Sequence, residues 1–307
     1  MSSYSIGQSK SLLSSFLVLV GFVVLGLFLF YALAVLMALP FIDGMGQLAD
    51  MQANPDSISD SDRLLLLFFQ GFSSLGGFVV APLFYIRYFE GLAPIAATNP
   101  RPIQDALQVL WALMIVPALI PILELTVAWN RDIDFPAWLA GFEQWAQAKE
   151  HQLEGLTKAL TSFSSVPQFL VGLLVVAVIP AVGEELLFRG ILQPTLLRSF
   201  KNPHIAIWAT AIIFSAIHVQ FYGFVPRMLL GSLFGYLYLW SGSIYIPILA
   251  HFANNGLTLT LIYLNNIGLL SINPDAMPQA SWPILVGSAV LGLAVLIRFR
   301  ARYYDEA

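Results

Sequence analysis

Long apolar stretches without charged residues alternate with short polar segments along most of the chain. The stretch between Lys10 and Asp43 has 32 uncharged residues, and the stretch between Arg227 and Asp275 has 47. A helix that crosses a bilayer needs about 20 apolar residues, so the second stretch is long enough for two. The pattern predicts eight spanning helices, at 12–40, 64–86, 106–127, 167–192, 205–220, 225–240, 244–264 and 281–298.

Two polar segments are longer than ordinary connections between helices. Residues 43–63 are rich in aspartate and predict an acidic outer loop. In residues 131–165 the apolar side chains recur at helical spacing, which is typical of an amphipathic helix at the membrane interface. These side chains are Trp138, Phe142, Trp145, Leu153, Leu156 and Leu160. Such a helix either packs onto the outer ends of the spanning helices, which we favour, or caps a cavity.

The composition is also typical of a membrane protein. The chain is 58% apolar and 10% charged, whereas soluble domains carry about 25% charged residues. A net charge of -4 gives no basic field for nucleic acid. The absence of cysteine excludes disulfides, thiolate nucleophiles and cysteine-ligated metals. We therefore predict an all-α, polytopic helical bundle in the cell membrane, with the lipid bilayer as its surroundings.

The distribution of basic residues predicts the orientation. With the N-terminus inside, nine Lys and Arg residues face the cytoplasm and five face outward, so both termini are expected to be cytoplasmic. The first apolar stretch is far longer than the roughly 7–15 residues of a signal peptide, so we expect it to remain as a helix. Three regions follow: N-terminal helices in 1–165, a core in 166–262, and a last helix with a basic tail in 263–307.

A few polar side chains interrupt the apolar helices of the core. They are Glu184, Glu185, Arg189, His218, His251, Asn254 and Asn255. Ionisable groups inside a membrane are costly and by default indicate function. At 1.5 Å of rise per residue, the carboxylates, both histidines and the asparagines fall within about two turns of one depth. We therefore expect a common site.

Helical spacing divides these residues by role. Glu185 and Arg189 stand at i and i+4 and predict a structural ion pair. Glu184 lies about 100° around the helix and faces a different neighbour. Two further pairs share a helix face in the same way, Phe214 with His218 and His251 with Asn255. Pro180 is expected to kink the helix near this level and open a cavity.

This set of residues suits hydrolysis by activated water. A shielded carboxylate can act as general base, and a histidine can position and polarise the water. A second histidine with an asparagine amide can stabilise an oxyanion. Asn254 is nearly equal to Asn255 as a candidate by position alone. Neither G-x-S-x-G nor H-E-x-x-H occurs in the sequence.

At these residues the sequence resembles the CPBP family of intramembrane proteases, which includes type II CAAX prenyl endopeptidases and bacteriocin-processing, Abi-like immunity proteins. The family motif E-E-x-x-x-R matches Glu184, Glu185 and Arg189. The motifs F-x-x-x-H and H-x-x-x-N match Phe214 with His218 and His251 with Asn255, and the resemblance covers about residues 166–262.

The resemblance implies a membrane endopeptidase in which Glu184 and His218 activate water. It implies that His251 and Asn255 stabilise the oxyanion, while Glu185, Arg189 and Phe214 are supporting. The substrate would be a membrane protein or a lipidated peptide, with a prenylated CAAX protein as one example. We expect no cofactor, but a zinc-dependent version using Glu184, His218 and His251 remains open. A non-catalytic peptide- or lipid-binding immunity protein and a proton-coupled transporter are two competing hypotheses.

Overall fold

The computed structural model describes residues 10–42, 44, 46–47, 51, 58–271 and 280–305. It is 84% helical, and the described residues contain no strand. The all-α membrane bundle predicted from the apolar pattern is therefore confirmed.

Each of the eight predicted helices has a counterpart among the described residues, and the helices Pro94–Thr98 and Ala140–Thr161 lie between them. The helices are α1 Leu12–Phe41, α2 Asp60–Phe89, α3 Pro94–Thr98, α4 Ala106–Arg131, α5 Ala140–Thr161, α6 Val166–Phe200, α7 Pro203–Ala216, α8 Phe224–Ser241, α9 Tyr245–Asn266 and α10 Trp282–Asp305. The short α3 was not predicted, whereas α5 is the helix expected in the outer segment.

Among the described residues, five helices are long and apolar enough to cross a membrane, namely α1, α2, α4, α6 and α10. Helix α7 is apolar but shorter. Helices α8 and α9 bury many of their residues inside the bundle, so fewer of their side chains have to be apolar to face lipid. The protein is a multi-pass membrane protein. The count of eight spans and the cytoplasmic termini stay predictions.

Two apolar clusters are the largest parts of the core among the described residues. One joins α1, α2, α6 and α7 around Tyr85, Phe188 and Phe214. The other joins α4, α8, α9 and α10 around Phe234 and Phe299. Large apolar side chains of α1 face outward, as expected for a helix in contact with lipid.

Helices α1 and α2 approach each other closely at a pair of glycines. A Cβ atom on Gly26 would collide with the carbonyl oxygen of Gly76, so a larger residue would force the two backbones apart. Small residues allow this kind of contact between helices in a membrane. The contact fixes α2, which in turn packs against α6.

The acidic segment is partly helical. Asp60 and Asp62 lie in the first turn of α2, where negative charge favours the positive end of the helix dipole. The prediction of a loop over all of 43–63 was therefore wrong at its C-terminal end. The other acidic residues of that segment, Asp43, Asp50 and Asp56, lie outside the described residues.

The predicted packing of the outer segment is seen in its C-terminal half. The C-terminal half of α5 packs on the core through Leu156 and Leu160. The preceding aromatic side chains remain exposed, with Trp138 at 80% and Trp145 at 46%. Exposed tryptophans are typical of a membrane interface.

Candidate active site

Helix α6 carries the central residues on a segment bounded by two widened turns. Residues Leu173–Val178 and Phe188–Leu192 have π-helical geometry, and Ile179–Leu187 between them is α-helical. Pro180, near the start of this α-helical segment, cannot donate a backbone hydrogen bond. The helix continues through these turns, so the predicted kink at Pro180 takes the form of a local widening. Such π-bulges are frequent at functional sites.

Three side chains form a buried cluster that joins α6 to α9. Arg189 Nη1 donates to Glu185 Oε1 at 2.9 Å, as the i, i+4 spacing predicts. His251 Nδ1 lies 2.9 Å from the same oxygen. The side chains of Glu185 and Arg189 are both 0% exposed. Because the cation and the carboxylate leave water together, each depends on the other for charge compensation.

Glu184 and Glu185 are neighbours in sequence but differ in their surroundings. The side chain of Glu184 is 17% exposed and that of Glu185 is 0% exposed. Glu184 Oε2 lies 3.8 Å from His251 Nε2, so the imidazole ring stands between the two carboxylates. The structure thus brings Glu184, Glu185, Arg189 and His251 together and leaves Glu184 as the accessible acid.

The carbonyls of α8 complete this cluster through a glycine pair. Arg189 Nη2 donates to the carbonyl of Gly231, and Gln193 Nε2 donates to that of Gly235. A Cβ on Gly235 would lie 2.9 Å from Gln193 Oε1, so the glycine lets α8 come close to α6, while a Cβ on Gly231 would lie 3.1 Å from Phe214 of α7. Gln193 was missed from the sequence, although its i+4 spacing from Arg189 is a usable signal.

His218 lies beyond the end of its helix. The sequence predicts a helix to residue 220, but α7 ends at Ala216 and His218 stands on the following turn. Ser215 accepts the backbone N–H of His218, and Val219 has a left-handed φ of 55°. A β-branched residue is strained in this conformation. Helix α7 thus ends at Ala216, four residues before the end that the apolar pattern predicts.

The hydrogen bonds of His218 fix its tautomer. Its Nδ1 lies 2.7 Å from the carbonyl oxygen of Phe214, which can only accept, so Nδ1 carries the proton. In the neutral ring Nε2 is then a free acceptor. The same argument applies to His251, whose Nδ1 faces the Glu185 carboxylate. His251 Nε2 carries a proton only when the ring is an imidazolium.

Aromatic rings connect the two histidines. The ring centroid of Phe214 lies 5.1 Å from that of His218 and 6.2 Å from that of His251, both edge to face. Phe234 stacks on His251 with centroids 5.1 Å apart. Phe214 is buried between the two histidines, and its supporting role stays a prediction.

Asn255 lies one helical turn beyond His251. Its Nδ2 reaches the carbonyl of Val176 at 3.5 Å, which is a long contact, and its Oδ1 accepts from Asn254 Nδ2 at 3.0 Å. Both asparagines are half-buried. The geometry leaves Asn254 as a second candidate donor.

The zinc-dependent version needs Glu184, His218 and His251 to converge on one point. The described residues contain no group of three or more His, Asp or Glu side chains that could hold a metal ion. His251 already faces a carboxylate with each ring nitrogen, and His218 points Nδ1 at a backbone carbonyl. The set Glu184, His218 and His251 does not converge as metal ligands.

A further polar group next to His218 was missed from the sequence. Arg227, in the first turn of α8, donates through Nη2 to Gln220 Oε1 at 2.9 Å. Gln220 in turn donates to Glu150 of α5 at 3.3 Å. The outer helix is thereby connected to the turn that carries His218. Nothing in the local sequence pattern indicates this connection, because its three members belong to separate elements.

The site thus combines a half-buried carboxylate with a histidine of fixed tautomer inside a helical membrane bundle. Residues 166–257 match the family model described as type II CAAX prenyl endopeptidase Rce1-like. The resemblance predicted from the three motifs is confirmed over that segment. The description of the matched family is that of an endopeptidase.

One curated relative is the uncharacterized protein YpbD of Bacillus subtilis (strain 168). The two chains are 29% identical over 113 residues, which is 36% of this chain and 53% of YpbD. The match thus spans about half the length of this relative. No solved structure gives a significant match.

Proposed function

We propose that the protein is an intramembrane endopeptidase that hydrolyses a membrane-associated protein or peptide with water activated by Glu184 and His218. The observation that carries the proposal is the position of Glu184, which is the accessible carboxylate of an otherwise buried ionic cluster. A structural cluster needs only Glu185 and Arg189 for its charge balance. Glu184 adds a second, half-buried acid with no arginine within ion-pair distance among the described residues, which is costly unless the acid is used.

In the proposed reaction Glu184 is the general base. The water oxygen attacks the carbonyl carbon of the scissile amide while Glu184 takes one water proton. His218 Nε2, free in the neutral ring, accepts the hydrogen bond of the other water proton and orients the attack. When the carbon–nitrogen bond breaks, Glu184 returns its proton to the leaving amine, so that protons and charge balance.

The oxyanion is the proposed task of His251 and Asn255. His251, held at Nδ1 by the Glu185 carboxylate, donates to the oxyanion from Nε2. Asn255 Nδ2 is held only by the long contact to Val176, so exchanging this contact for an oxyanion costs little. Glu185 and Arg189 act through His251 and are positioning residues. The CAAX class of substrate comes from the matched family and belongs to the proposal.

The test compares isosteric variants of the two neighbouring carboxylates. Purified protein in detergent is given quenched fluorescent peptides, and cleavage is measured for the wild type, Glu184→Gln, Glu185→Gln and His218→Ala. We expect Glu184→Gln to lose at least about 100-fold in turnover while keeping the wild-type melting temperature. We expect Glu185→Gln to lower both turnover and the melting temperature, because it removes the partner of buried Arg189.

Two outcomes would contradict this assignment. Wild-type turnover in the Glu184→Gln variant would remove Glu184 from the reaction. Peptide binding without cleavage in the wild type would favour the non-catalytic binding protein instead.

Exhaustive chelation of the same preparation tests the metal, and loss of activity that added zinc restores would favour the zinc-dependent version.

A further inference from the structure

Arg227 lies on the face of α8 that looks toward the proposed site. It precedes Gly231 by four residues, so both positions share one face of the helix. The Cα of Gly231 faces Phe214, because a Cβ there would lie 3.1 Å from that ring. The Phe214 ring contacts both histidines. Arg227 is therefore one turn away from this contact, on the side of the turn that carries His218.

The guanidinium of Arg227 is held in place but incompletely bonded. Nη2 donates to Gln220 and packs over Gly223, where a Cβ would lie 2.9 Å from that atom. Nη1 is buried and has no hydrogen-bond partner among the described residues. Buried N–H groups in folded proteins are nearly always paired, so Nη1 needs an acceptor that the described residues do not supply.

The charge of Arg227 is also poorly balanced. No carboxylate oxygen of the described residues lies within 4.0 Å of its guanidinium, and Glu150 reaches it only through Gln220. Burial, followed by the neighbouring Glu154, raises the pKa of Glu150, while the charge of Arg227 lowers it. Arg227 lies within Coulombic range of Glu184 and His218, so its field reaches the place where a substrate would bind.

We propose that Arg227 is a substrate-binding residue that holds a carboxylate of the peptide through Nη1. This inference rests on the proposed function and names a feature of its substrate. An arginine forms short, charge-assisted hydrogen bonds with a carboxylate, whereas a neutral amide forms weaker ones. The carboxylate belongs either to the C-terminus of the peptide or to an Asp or Glu side chain. The site thereby prefers peptides with a negative charge beside the scissile bond.

The experiment measures binding, so that it does not depend on turnover. Fluorescent peptides of one sequence are prepared with a C-terminal carboxylate, with a C-terminal carboxamide, and with an internal Glu or Gln. Their Kd values are measured by anisotropy on the Glu184→Gln protein with Arg227 intact, with Arg227→Gln and with Arg227→Lys. We expect Arg227-intact protein to bind one carboxylate peptide about 10-fold more tightly than its amide counterpart.

The Arg227→Gln variant should lose this preference, and Arg227→Lys should keep part of it because the charge remains. Arg131→Gln is the matched control, since Arg131 is exposed, belongs to the same end of the bundle and pairs with Glu154 at 3.6 Å. Its preference should equal that of Arg227-intact protein. The terminal and internal carboxylate peptides identify the source of the charge.

Equal Kd values for the carboxylate and amide peptides with Arg227 intact would overturn the inference, and so would a preference that survives in Arg227→Gln. If Arg227→Gln does not fold, loss of part of the preference in Arg227→Lys decides the question. Failure of the proposed function gives a different result. In that case the wild type cleaves no peptide, while the binding preference still depends on Arg227.

Discussion

Two regions of the molecule join helices with the same three kinds of chemistry, a carboxylate, an arginine and a third polar side chain. In the interior cluster, Glu185 binds Arg189 and His251, and both members of the ion pair are 0% exposed. At the junction of α4 and α10, Asp105 accepts from Arg302 and Tyr303, both at 2.7 Å. There the side chains of Arg302 and Asp105 are 51% and 31% exposed.

The difference in exposure decides what each set of contacts contributes. Water screens the Asp105 pair, so it contributes little beyond tying the ends of two helices together. The interior cluster has no such screening, and breaking one partner leaves an uncompensated charge. The interior set therefore fixes the orientation of His251 beside Glu184, which is a geometric task that an exposed pair performs poorly.

The largest effect should follow from removing the buried cation. Arg189→Met leaves the Glu185 carboxylate buried without its cationic partner and should lower the free energy of unfolding by about 3–5 kcal/mol. Thermal unfolding in detergent measures this loss. The double variant Arg189→Met, Glu185→Gln should recover part of it, because the unpaired charge is gone. A loss below about 1 kcal/mol in the single variant would mean that water reaches the cluster.

The next effect concerns the contact that places α6 against α2. A Cβ on Gly183 would lie 2.7 Å from the Cβ of Phe78, so Gly183→Ala should lower stability by about 1–3 kcal/mol and disturb the neighbouring Glu184. Gly287→Ala is the matched control, since a Cβ there meets nothing within 4 Å. We expect the control to be neutral or slightly stabilising. Equal effects of the two changes would show that α6 does not depend on this contact.

Local spacing was enough to predict the ion pair of Glu185 and Arg189, since both stand on one helix. The sequence was also enough to predict the membrane bundle, because the cost of burying charge in lipid keeps charged residues out of the long apolar stretches. The contact of His251 Nδ1 with Glu185 could not be predicted, because it depends on how α9 packs against α6. The connection of Arg227 through Gln220 to Glu150 could not be predicted for the same reason, because it depends on how separate helices pack.

The end of α7 was predicted wrongly because the apolar pattern continues past it. Ile217 and Val219 are apolar, but the backbone turns at His218 and gives Val219 its positive φ. Nothing in the sequence marks this stop, since a β-branched residue disfavours the left-handed region. The surroundings of the turn impose it: Ser215 Oγ donates to the Phe224 carbonyl, and Asn130 Oδ1 accepts from the backbone N–H of Val225.

A smaller effect is therefore expected from relieving this strain. Val219→Gly should raise the free energy of unfolding by up to about 1 kcal/mol, because glycine adopts a positive φ without the clash of a Cβ. Turnover should fall at the same time, since the turn that carries His218 becomes less confined. Val290→Gly serves as control at an exposed helical position and should destabilise by about 1 kcal/mol. Destabilisation of similar size at both positions would show that Val219 carries no strain.

The smallest effect belongs to the exposed junction, and it should depend on pH. The Tyr303 hydroxyl, followed by the Arg302 guanidinium, lowers the pKa of Asp105 to about 2. The unfolded chain has the ordinary value near 3.9, so the contribution of Asp105 is present above about pH 4 and is lost as the pH falls toward 2. Melting temperatures of the wild type and Asp105→Asn should therefore differ slightly at neutral pH and converge in acid.

The pH dependence of the Asp105→Asn difference tests the exposed junction directly. If the Asp105→Asn difference stayed constant down to pH 2, the hydroxyl and guanidinium contacts of Asp105 would not be what stabilises the junction of α4 and α10.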